Sequence, residues 1–130
     1  MEIFDSSNNL LAKLIDLDNN NERSTFFTDD SNDFQAAVFN LKVGENIQRH
    51  IHNKNVRKVE TTSEAIYIIN GKIEVEIYDN SKTFIKKIDV NKGQLILLIQ
   101  GGHAMNVLED SKFFEIKQGP YIEKKDKERF

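Results

Sequence analysis

From residue 34 onward, apolar residues fall at every second position or in short unbroken runs, and clusters of Asn, Asp, Ser, Lys and Gly separate those runs. The stretch "KIEVEIYD" (72–79) alternates, with Ile73, Val75 and Ile77 on one side and Lys72, Glu74 and Glu76 on the other. A period of two is the mark of a strand with one buried face. "EAIYIIN" (64–70) stands before it, and Asn70-Gly71 between the two is a strong short-range hairpin signal. "FQAAVFNLKV" (34–43), "TFIKKIDV" (83–90), "HAMNVL" (103–108) and "FFEIKQ" (113–118) read as further strands. "QLILLI" (94–99) is apolar throughout, as expected of a strand covered on both faces. "NLLAKLIDL" (9–17) fits either a short helix or an edge strand. Many short strands joined by turns, with almost no helical period, predict an all-β barrel or sandwich.

Composition fits one domain. The chain has 130 residues, 38% of them hydrophobic and 30% charged, which suffices for a single core. The expected division is an N-terminal extension (1–33), a barrel (34–121) and a charged tail (122–130). A net charge of −3 with intermixed signs argues against a nucleic-acid partner, which calls for a basic stripe. The absence of cysteine excludes disulfides, thiolate metal sites and thiol nucleophiles. The N-terminus lacks a basic segment followed by an apolar one, and no apolar run reaches membrane-spanning length, so a cytoplasmic protein with no membrane partner is expected. No phosphate-cradling glycine loop and no Gly-x-Ser-x-Gly motif is present.

The candidate chemistry lies in the three histidines. His50 and His52 stand one residue apart, and His103 follows Gly101-Gly102. On a strand, positions i and i+2 share a face, so two imidazoles at that spacing can reach one ion. Glu64 shares its predicted face with Ile66 and Ile68. Three imidazoles and a carboxylate suit a divalent iron, zinc, manganese or nickel ion. The opposing reading is that each histidine is an ordinary surface or core residue.

Spacing around these residues resembles the two motifs of the cupin superfamily. Gly44 is followed by five residues and then His50-Ile51-His52, and Glu64 is followed by six residues and then Gly71. Gly93, Gly101 and His103 fall in the neighbourhood of the second motif. The chain departs from the pattern in four places, the first being that one residue separates Gly101 from His103 where the motif has two. Eleven residues separate His52 from Glu64 where the motif has three or four, Ile99 stands at the proline position, and Val107 stands at the asparagine position. The resemblance covers residues 34–118 and implies a small single-domain cupin, a double-stranded β-helix (jelly-roll) barrel. It also implies a divalent metal ion held by His50, His52, Glu64 and His103, with Glu60 or water as alternatives to Glu64.

Gln35, Arg57, Met105, Lys117 and Tyr121 are candidate contacts to a substrate. Arg57 suits a carboxylate or phosphate, and Lys117 with Glu115 forms either a charged working pair or a solvent face. The "GGH" and "KQGPY" stretches look similar to proteins of surface-polysaccharide and sugar-nucleotide pathways, which implies isomerase or epimerase chemistry on a small polar metabolite. An Fe(II) dioxygenase and a non-catalytic small-ligand binding protein are the alternatives. The apolar strands and the Phe-rich "STFFTDD" (24–30) also raise the expectation of a homodimer, with the N-terminal segment packed across the partner.

Overall fold

The computed structural model describes residues 1–122 and 126–130 and is all-β. Its strands are β1 (Glu2–Phe4), β2 (Leu10–Asp16), β3 (Ser24–Phe26), β4 (Ala37–Phe39), β5 (Glu64–Asn70), β6 (Lys72–Tyr78), β7 (Phe84–Asn91), β8 (Gln94–Leu98), β9 (Gly102–Val107) and β10 (Lys112–Lys117). They form three antiparallel sheets. One is five-stranded in the order β1-β2-β8-β5-β10, one pairs β3 with β4, and one is three-stranded in the order β7-β6-β9. The arrangement is that of a β-sandwich. Among the described residues no helix is long and apolar enough to cross a membrane.

The period-two pattern explains the main core. Ile66 and Ile68 of β5, Ile73, Val75 and Ile77 of β6, Ile88 and Val90 of β7, and Ile96 and Leu98 of β8 are buried in one cluster between the two larger sheets. Removing their apolar surface from water is what holds the sheets face to face. The unbroken run of β8 is buried on both sides. Leu97 points the other way, into a second cluster with Ile15, Phe27, Ala65 and Ile99, against which Phe34 and Val38 pack. The two-stranded sheet and its flanking loop thus cover the outer face of β8.

Several strand expectations are met closely, and others need correction. The ambiguous segment 9–17 is a strand, and it is internal to the sheet, with β2 hydrogen-bonded to both β1 and β8. The N-terminal residues therefore complete their own chain's sheet and cover β8. The long strand expected over 34–43 shrinks to three residues, Ala37–Phe39. Residues 45–60 contain no strand and are exposed throughout. Their large apolar members, Ile47, Ile51, Val56 and Val59, find no sheet to pack on, and an extended segment without a ladder partner gains little from alternation.

Candidate functional site

The turn between β8 and β9 carries the chain from one large sheet to the other. Gly101 there has φ +83°, and a Cβ on it would collide with the Tyr78 carbonyl oxygen. Only glycine fits both constraints. The crossing delivers His103 to the second position of β9, where it pairs with Ile77 of β6. Glu64 is the first residue of β5, with Leu98 of β8 on one side and Lys117 of β10 on the other. It shares the inward face of β5 with Ile66 and Ile68.

The two sheets thereby bring Glu64 and His103 together. Glu64 Oε2 lies 3.2 Å from His103 Nε2, with the carboxyl nearly buried and the imidazole about a quarter exposed. The His103 imidazole holds the Glu64 carboxyl below its usual range, outweighing the upward push of burial, and Lys117 and Lys127 add to the lowering. A carboxylate oxygen only accepts, so the contact at Nε2 favours the tautomer protonated there and leaves Nδ1 as the basic nitrogen.

This pair opens onto a cleft of about 880 Å³. Met105, Glu60 and Thr62 line it together with the pair, as do Tyr78 at the end of β6 and Lys82 in the β6–β7 turn. Residues 126–130 also line it. Lys117 Nζ stands 3.5 Å from Asp126 Oδ2 and 5.1 Å over the Tyr121 ring.

The other candidates are distributed differently. Met105 and Glu60 are at the cleft, although Glu60 is exposed and pairs with Lys58 at 2.6 Å. Gln35 is spent within its own loop, where its amide donates to the carbonyls of Asp29 and Asn32. Arg57 sits on the exposed irregular segment. Lys117 takes Asp126 as its partner, and Glu115 is exposed. Tyr78, Lys82 and the 126–130 segment were not expected at the site. Nothing in a local pattern marks them, because a turn and a distant charged stretch converge only in three dimensions.

His50 and His52 are not on a strand, so strand alternation does not orient them. They lie in the exposed 45–60 stretch with their rings edge to face, centroids 5.1 Å apart. His50 Nδ1 is 2.9 Å from the Gln48 carbonyl oxygen, which favours a proton on Nδ1 and leaves Nε2 free. The arrangement is thus two halves, an imidazole pair and an imidazole–carboxylate pair. Among the described residues no group of three or more His, Asp or Glu side chains is placed to hold one metal ion. As arranged, the four residues do not fit a single metal centre.

No family model, curated protein or solved structure matches the chain.

Proposed function

We propose that the chain is an enzyme for a small polar metabolite, built on a cupin-type double-stranded β-helix, in which Glu64 and His103 move a proton. The observation that carries this reading is the 3.2 Å contact between the two side chains at the wall of an open cleft. The strand order of the two large sheets supports the barrel reading, since both present their apolar faces inward and β8 crosses into β9 at the site.

The chemistry follows from the pair. With its proton on Nε2 held toward Glu64, His103 accepts a second proton at Nδ1 from a carbon next to a carbonyl. The C–H electron pair moves to the carbonyl oxygen and gives an enolate, and the carboxylate of Glu64 stabilises the imidazolium. Return of the proton to the other face of that carbon gives an epimer. Where that carbon carries a hydroxyl, transfer of the hydroxyl proton to the enolate oxygen, followed by delivery of the proton from His103 to the former carbonyl carbon, gives an isomer with the carbonyl moved by one position. A nucleotide-linked keto-sugar has the required acidic C–H and a size suited to the cleft. The second reading, an Fe(II) dioxygenase, would draw its ligands from His50, His52, Glu64 and His103.

The test is solvent exchange. A panel of nucleotide-linked keto-sugars is incubated with the protein in D2O and followed by NMR. Deuterium at the carbon next to the carbonyl is expected with the native chain and is expected to be lost with His103→Ala and Glu64→Gln. Exchange that persists in both variants overturns the assignment. Saturable binding without exchange favours a ligand-binding module. Iron in the purified protein together with oxygen uptake favours the dioxygenase.

A further inference from the structure

The segment 126–130 makes two kinds of contact at one corner of the cleft. Glu128 Oε1 accepts a hydrogen bond from Lys82 Nζ at 2.8 Å. The Phe130 ring meets the Tyr78 ring edge to face, centroids 5.2 Å apart, and Lys82 Nζ stands 5.6 Å from the Phe130 centroid. Phe130 also rests on Gly102, where an added Cβ would come within 2.9 Å of its Cζ. One carboxylate and one ring are thus received side by side by Lys82, Tyr78 and Gly102.

The corner is built more firmly than its occupant. Lys82 has φ 66°, a left-handed conformation uncommon for a residue with a side chain. The Asp79 carboxylate holds the turn by accepting from the amides of Ser81 and Thr83, both at 2.8 Å. Tyr78 is backed by Phe84 at 5.7 Å between centroids, and its hydroxyl donates to Glu76. Phe130, by contrast, remains 64% exposed. An exposed ion pair and a ring left mostly in water contribute little, so this occupant is easily displaced.

We propose that the Lys82–Tyr78–Gly102 corner is a subsite for a small anion carried on a planar ring, and that Glu128 and Phe130 occupy it until such a ligand arrives. The ligand's charge replaces the Glu128 carboxylate on Lys82, and its ring replaces Phe130 against Tyr78 and the bare backbone of Gly102. The corner does not depend on proton transfer by His103, so the subsite and the proposed catalysis stand or fall separately.

The probe is 8-anilinonaphthalene-1-sulfonate, which joins a sulfonate to planar rings, titrated by fluorescence into the whole chain and its variants. Glu128→Gln with Phe130→Ala removes the competitor. The probe's Kd is expected to fall, by about tenfold if the corner is self-occupied nine-tenths of the time. Adding Lys82→Ala is expected to abolish that gain. Glu128→Gln alone, the milder change, should give a smaller gain in the same direction. Near-UV circular dichroism confirms that each variant keeps its packing. In the native chain the probe should shift the Lys82 and Gly102 amide resonances saturably. An unchanged Kd in both Glu128 variants, or a gain that survives Lys82→Ala, overturns the proposal.

Discussion

Glu64 and His103 belong to different sheets, yet the Oε2 of one lies 3.2 Å from the Nε2 of the other. Neither residue is a neighbour of the other along any strand ladder. The contact exists because the chain passes from β8 to β9 through Gly101-Gly102, which turns it from the five-stranded sheet into the three-stranded one. Glu64 lies at the same end of the interior, opposite Leu98.

The lowered Glu64 carboxyl predicts a pH dependence of stability. A carboxyl whose value is depressed on folding contributes stability that is fully present above its unfolded value, near 4.5, and is lost as pH falls through the folded value. Glu64→Gln should therefore cost about 1–3 kcal/mol at pH 7. That difference should shrink as the pH drops below 4.5. Urea unfolding of both proteins from pH 7 to pH 3 measures it, and a constant difference would contradict the assignment.

Gly101 should tolerate no side chain. Gly101→Ala combines a positive φ with a collision against the Tyr78 carbonyl, and a loss of more than about 1–3 kcal/mol is expected. Gly44 is the control. It also has a positive φ, at +92°, but nothing lies within 4 Å of an added Cβ. Gly44→Ala should cost only about 1 kcal/mol, the backbone penalty alone. Thermal unfolding of the two variants side by side separates collision from backbone conformation.

The main core predicts a contrast along β5. Ile66 is fully buried between the sheets, whereas Ile69 is largely exposed. Ile66→Ala should destabilise by about 2–5 kcal/mol, and Ile69→Ala by well under half of that. Denaturant midpoints at constant m-value decide the comparison.

β10 is an edge strand whose Phe113, Phe114 and Ile116 are all exposed. A free edge bearing large apolar residues invites a second strand, and a second copy of the same chain is always available to supply one. A homodimer formed through β10 is expected by light scattering at micromolar concentration, with Phe114→Glu shifting it to monomer. A native chain that is already monomeric would dismiss this association.

The sequence by itself determined the all-β class and the turn at Asn70-Gly71, but not the hairpin expected there. β5 pairs with β8 and β10, β6 pairs with β7 and β9, and the turn carries the chain from one large sheet to the other. The sequence also marked the inward faces of β5 and β6 and the double-sided burial of β8. These are local matters, set by a period of two and by turn residues with a steric reason for their places. It named Glu64 and His103 as metal ligands alongside His50 and His52, and of these four the structure brings Glu64 and His103 within 3.2 Å of each other. The tertiary structure decided the rest. Whether 9–17 was a helix or a strand depended on β8 being there to pair with it. The alternation that seemed to place His50 and His52 on a common strand face had no ladder to act through, so the segment stayed exposed. Tyr78, Lys82 and Phe130 meet only because a turn and a distant segment reach the same corner. Contacts of that kind have no period, and packing alone specifies them.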